Sequence, residues 1–167
     1  MAILTIFTLL IVGLLFINRF YLGVGYVAGF AVNIALNIFL KWIFCQPRPN
    51  ADLAWFKTAL NIHKNNISFI TRHCGMPSGH AQMAGFALSY IILSTHYWWM
   101  WAIITTLAIG ICMQRIITNV HSPLQILIGL CLGMILGVLC YSLMVRFLKL
   151  KYPQGVFPKS SPFGSIL

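Results

Sequence analysis

The chain has 167 residues, of which 60% are hydrophobic and only 7% charged, against roughly 25% charged in a typical soluble domain. Eleven residues are Lys or Arg, and a single one, Asp52, is acidic. That balance excludes an ordinary soluble domain, a disordered tail and a coiled coil. It also excludes chemistry that needs several carboxylates, such as a paired-acid site or a carboxylate-held Mg²⁺.

A bilayer crossing takes about 20 apolar residues, so the composition predicts an all-α integral membrane bundle of about five transmembrane helices. The first run, Ala2 to Ile17, is closed by Asn18 and Arg19. It has no basic leader and no small-residue cleavage site, and reads as a retained helix. The second run is Tyr21 to Phe44, ended by Pro47 and Pro49. Residues 50–76 are polar enough to leave the membrane. The third run starts after Pro77 and ends near Thr95. The fourth is Trp98 to Ile117, with Tyr97, Trp98, Trp99 and Trp101 as an interfacial aromatic cluster. The fifth is expected from Pro123 to Arg146. Residues 1–151 form one domain, and 152–167 a basic, Pro-containing tail.

Arg146, Lys149, Lys151 and Lys159 make the C-terminal side cytoplasmic by the positive-inside tendency. Arg19 agrees with that orientation, whereas Lys41, Arg48, Lys57, Lys64, Arg72 and Arg115 fall on the other face and call for another reason. The cations are split across both faces and interrupted by spans, so no continuous strip is offered to nucleic acid.

Two periodic stripes occur within the runs. Gly129, Gly133 and Gly137 continue the rhythm of His121 and Gln125, and Gly25, Gly29, Asn33, Asn37 and Lys41 recur at the same interval. Small residues at this spacing let helices approach closely in lipid. The asparagines must face protein, because lipid cannot satisfy their amides.

Polar residues gather at one end of the bundle. Lys41 and Arg48 lie at the end of the second run. Arg72, His73, Ser78, Gly79 and His80 lead into the third, and Arg115, His121 and Gln125 join the fourth to the fifth. A helix start at Pro77–His80 offers free N–H groups to an anion. Lys41, Arg48 and Arg115 can surround phosphate oxygens, and imidazole can serve as nucleophile or general acid. This combination points to phosphoryl transfer without a cofactor or metal, from a substrate reachable at a membrane surface.

Three segments resemble the motifs of the type 2 phosphatidic acid phosphatase superfamily of membrane lipid-phosphate phosphatases. Lys41 through Arg48 and Pro49 match K-x6-R-P, and Pro77, Ser78, Gly79 and His80 match P-S-G-H. Arg115 and His121 keep the separation of S-R-x5-H-x3-D, with Gln114 in place of its Ser and Gln125 in place of its Asp. The similarity covers roughly residues 20–145. It implies His121 as the nucleophile that becomes phosphohistidine, and His80 as the acid on the leaving oxygen and later the base on water. It implies Lys41, Arg48, Arg115, Ser78 and Gly79 as the phosphate-binding set. The implied partners are a lipid phosphate or polyprenyl diphosphate and the bilayer, and the orientation read from the charges puts the site on the non-cytoplasmic face. An alternative is a weakened relative that binds or moves lipid phosphates.

Gln125 admits two readings. Its carbonyl can accept from His121 Nδ1 and leave Nε2 free to attack. It can also close a capping box, with Ser122 as N-cap and Pro123 first in the helix. Asp52 is either a substitute partner for His121 or a solvated loop acid. Cys45 and Cys74 lie on the same face and can pair if that face is oxidising. Cys112, Cys131 and Cys140 read as small residues of the spans. Asn66-Ile67-Ser68 is a glycosylation sequon.

Overall fold

The computed structural model describes residues 20–151. The first hydrophobic run and the basic tail lie outside them. Six helices follow one another: α1 (Phe20–Phe44), α2 (Leu53–His63), α3 (Ile67–His73), α4 (Gly79–Ser94), α5 (Trp98–Ile117) and α6 (Pro123–Lys151). The only β feature among the described residues is an isolated antiparallel bridge between Pro47 and Cys74. The described residues form an all-helical membrane-type bundle, and three helices, Tyr21–Phe44, Trp98–Ile117 and Pro123–Lys151, are long and apolar enough to cross a bilayer.

Helix α4 occupies the middle of the bundle. Its 16 residues reach about 24 Å at 1.5 Å per residue, short of a hydrocarbon core of about 30 Å. It is packed by α6, α5 and α1, and Ala81, Gln82, Ala84, Gly85, Phe86, Ala87, Tyr90 and Ile91 are all buried. The last helix corrects the expected boundary: α6 does not stop at Arg146 but runs on to Lys151. Leu148, in that extension, is buried in the core with Leu22, Tyr26, Phe86, Tyr90 and Met100, so packing continues where charge alone suggested an exit.

Both stripes face protein. On α1, Gly25, Gly29, Asn33, Asn37 and Lys41 are buried, while Val24, Val27, Val32 and Phe39 are exposed and mark its lipid side. On α6, the glycine stripe lies against the α4 backbone; a Cβ on Gly129 would stand 2.6 Å from the Ser78 carbonyl oxygen. Close approach of these two helices therefore requires glycine there.

The asparagines meet a residue that the sequence did not single out. Gln82 Nε2 donates to Asn33 Oδ1 at 2.9 Å, and Asn37 Nδ2 donates to Gln82 Oε1 at 2.8 Å. This fully buried amide chain ties α1 to α4. Interhelical side-chain hydrogen bonds in bilayers average about 0.6 kcal/mol each, so the chain fixes register more than it adds stability.

The segment 50–76, expected as a polar loop, contains two short helices. Asp52 Oδ1 accepts from the Ala54 and Trp55 N–H groups, and Asn66 Oδ1 accepts from those of Ser68 and Phe69. Each side chain is an N-cap that satisfies otherwise unpaired donors. Phe56 and Ala59 of α2 and Phe69 and Ile70 of α3 bury against Cys45 and Cys74, which are joined by a disulfide.

Candidate active site

The residues singled out in the sequence come together at one end of α1, α4, α5 and α6. Lys41 is buried in the last turn of α1, where its Nζ donates to the Cys74 carbonyl. Beyond that helix, the Arg48 guanidinium donates to the Thr71 carbonyl at 3.2 Å. Arg115 stands in the last turn of α5. Its carbonyl accepts from the Val120 and His121 N–H groups at 3.2 and 3.3 Å, closing the turn that carries His121. Asn119 makes that turn with φ 54°, a left-handed conformation that asparagine tolerates better than most residues.

Ser78 is the N-cap of α4 but makes no side-chain capping bond. Its N–H donates to the Gln125 carbonyl at 3.0 Å, which anchors the α4 start to the first turn of α6. Its hydroxyl is buried and has no hydrogen-bond partner among the described residues, and the same is true of Arg48 Nε and Arg115 Nε. Buried polar groups are nearly always paired. Three unpaired donors in one place are therefore fit to meet an anion. Gly79 sits on Asn37, whose Oδ1 would be 3.0 Å from a Cβ there. His80, half-buried beside it, feels the charges of Arg115, Arg48 and Lys41.

His121 is buried, with Nδ1 3.2 Å from Gln125 Oε1. The same Oε1 accepts from the Ser122 N–H at 3.3 Å, while the Gln125 N–H donates to Ser122 Oγ at 3.3 Å. The capping box and the contact with the imidazole thus coexist, because a carbonyl oxygen has two lone pairs. Gln125 Nε2 donates to the Pro47 carbonyl at 3.1 Å. An acceptor on one side and a donor on the other fix which way the amide faces. Nδ1 of His121 must then carry the proton, and Nε2 is left with its lone pair.

Burial is the main force on the His121 ring and holds its pKa down at about 4. The Gln125 hydrogen bond opposes that shift, and the charges of Arg48, Lys41 and His80 add to it. Burial, then the neighbouring Arg115 charge, also pulls Arg48 below its ordinary value. The cations repel one another while the chain's one carboxylate, Asp52, is engaged as the cap of α2. Asp52 stands at the start of α2 and is no partner for His121, whose hydrogen bond goes to Gln125 and whose ring feels Arg48, Lys41 and His80 but not Asp52.

His73 and Arg72 lie at the edge of this cluster, where the His73 ring still feels the Arg48 charge. His73 packs its ring against Trp55 and Phe69, with centroids 4.9 and 5.0 Å away, and Arg72 is exposed. His63 and His96 are exposed. Gly75 was not foreseen: a Cβ there would stand 2.7 Å from Gln125 Oε1, so glycine makes room for the amide. Its only sequence signal is its place between Cys74 and Pro77.

No curated protein and no solved structure matches the chain. A family model described as the PAP2 superfamily matches residues 22–149, a stretch that holds all three motif segments. The chain belongs to the PAP2 superfamily, and that membership implies phosphatase-type chemistry on phosphate esters.

Proposed function

We propose that the chain hydrolyses a lipid phosphomonoester or polyprenyl diphosphate at the membrane surface through a phosphohistidine intermediate. The observation that carries this reading is the state of His121: its Nδ1 faces Gln125 Oε1 and its buried ring feels the charges of Arg48, Lys41 and His80, so Nε2 is the nitrogen left to attack. The phosphate oxygens are bound by those cations, Ser78 Oγ and the free N–H groups at the start of α4. Nε2 attacks phosphorus as the bond to the leaving oxygen breaks, and His80, protonated once the phosphate dianion offsets the surrounding cations, gives that oxygen its proton. Water then attacks the phosphohistidine, His80 takes its proton, and the P–N bond breaks to release inorganic phosphate. Charge neutralisation comes from the cations, so no metal is required by this scheme.

A lipid substrate is supported by the burial of the site at the end of membrane-spanning helices. The segment 50–76 leaves little room for an elaborate headgroup, which favours phosphatidic acid or a prenyl diphosphate. The Cys45–Cys74 disulfide supports an oxidising, non-cytoplasmic face for this end. The test is phosphate release from detergent-solubilised phosphatidic acid and a polyprenyl diphosphate without added metal. Release that disappears in His121→Ala is the expected result. No turnover above that variant on either substrate would overturn the reading.

Gln125 favours one second reading, since an amide cannot stabilise an imidazolium as a carboxylate does. A relative that binds or moves lipid phosphates without cleaving them would retain the lipid in the same assay and release no phosphate.

A further inference from the structure

The Cys45–Cys74 disulfide ties the exit of α1 to the segment that leads into Ser78. The polar contacts of the site converge on the two segments it joins. Lys41 Nζ donates to the Cys74 carbonyl. The Gly75 N–H donates to the Gln46 carbonyl at 2.6 Å, and Pro47 pairs with Cys74 in the antiparallel bridge. The Pro47 carbonyl, two residues past Cys45, holds Gln125 Nε2 at 3.1 Å. Gly75, next to Cys74, abuts the same amide. Cys74 is fully buried and Cys45 nearly so, beneath Phe56, Phe69 and Ile70.

We propose that Cys45 and Cys74 are positioning residues: their disulfide fixes the Lys41 ammonium and, through the Pro47 carbonyl and Gly75, the Gln125 amide that orients His121. The inference rests on the phosphatase reading given above. Its physical basis is that Lys41, repelled by neighbouring cations, is held by a carbonyl whose own place depends on the crosslink. The Gln125 amide depends likewise on a carbonyl at the end of a helix that has already left its hydrogen-bonded ladder. A crosslink removes the freedom of both segments to part. Formation gives two electrons and two thiol protons to a thiol-exchange oxidant carrying a disulfide. Dithiothreitol reverses it, restoring both thiols and closing to its own cyclic disulfide.

The test uses the full chain in nanodiscs. Denatured without reduction, Cys112, Cys131 and Cys140 should take up maleimide while Cys45 and Cys74 do not; labelling at Cys45 and Cys74 overturns the proposal. The Cys45→Ser/Cys74→Ser double variant, and the parent reduced with dithiothreitol, should lose at least tenfold in kcat/KM on phosphatidic acid, with KM raised. The kcat part of the loss should largely disappear in a Gln125→Ala background, which a mere staple of α2 and α3 would not cause. Amide exchange across residues 74–78 should rise while that of α4 to α6 stays at the parent level. Parent-like kinetics and exchange in both preparations overturn the proposal, even if the double variant alone fails to fold. A parent that releases no phosphate from any ester overturns the proposed function instead, and labelling and exchange then still decide whether the disulfide positions the segment.

Discussion

His121 Nδ1 and Gln125 Oε1 stand 3.2 Å apart across one turn at the head of α6, and the amide that supplies this oxygen is pinned from behind by the Pro47 carbonyl at 3.1 Å. Gln125 therefore orients the ring as a carboxylate would but adds no charge. Gln125→Ala should lower kcat by on the order of 10–100-fold, about 1.4–2.7 kcal/mol of transition-state stabilisation. Gln125→Asp should raise kcat above the parent, because a carboxylate stabilises the imidazolium that forms as Nε2 is phosphorylated. Steady-state phosphate release from the three proteins checks both directions.

The pH dependence follows from the buried ring. The His121 pKa lies at about 4 instead of its ordinary 6.5, so the nucleophile stays neutral at every pH above that value. The acid limb of kcat/KM, which reports the free enzyme, should fall through about pH 4 and not through 6.5. Gln125→Asp should move that limb upward, since a carboxylate favours the charged ring. The same shift bears on stability. Between 6.5 and 4 the unfolded chain binds the proton that the folded chain refuses, so His121 makes stability fall as pH drops through that window. A kcat/KM profile that breaks at 6.5 in the parent would contradict the buried, neutral ring.

Much of this was readable from the residues, and the reasons differ by element. The runs behind α1, α4, α5 and α6 are bounded by Pro, Asn and charged residues, so their limits were visible except at Arg146, where packing of Leu148 carries α6 onward. Helices α2 and α3 were missed although Asp52 and Asn66 are strong cap signals, because a polar segment between spans reads as a loop until its apolar residues are seen to bury. Gln82 was invisible because its partners Asn33 and Asn37 are far away in sequence. At Gln125 the orienting and capping roles looked exclusive in sequence. They are joined because one carbonyl oxygen serves both Ser122 and His121.

Gly75 offers a test of the amide's placement that leaves every chemical group intact. A Cβ at Gly75 would stand 2.7 Å from Gln125 Oε1 and 2.8 Å from Nε2, so Gly75→Ala must displace the amide. Overpacking of this kind costs about 1–3 kcal/mol, while the lost freedom of the unfolded chain returns about 0.4–1 kcal/mol. Activity should therefore fall by more than stability does. In a Gln125→Ala background the methyl has nothing to push, and Gly75→Ala should then cost little further. That non-additivity in kcat is the signature of a shared action; additive losses would show that Gly75 matters for another reason.

Ser78 separates binding from folding most cleanly. Its hydroxyl is buried without a partner among the described residues, and it gives no capping bond to α4. An unsatisfied buried group costs about 1–3 kcal/mol, so Ser78→Ala should leave thermal stability unchanged or raise it. The Ser78 N–H bond to the Gln125 carbonyl is a backbone contact and survives the change. A hydrogen bond to a charged phosphate is worth about 1.5–3 kcal/mol, so the same variant should lose roughly 10- to 150-fold in kcat/KM. Paired measurement of melting midpoint and phosphate release decides the point. A variant that loses stability and activity together would mean that Ser78 serves the fold, whereas a stable protein with weakened turnover places its hydroxyl on the substrate phosphate.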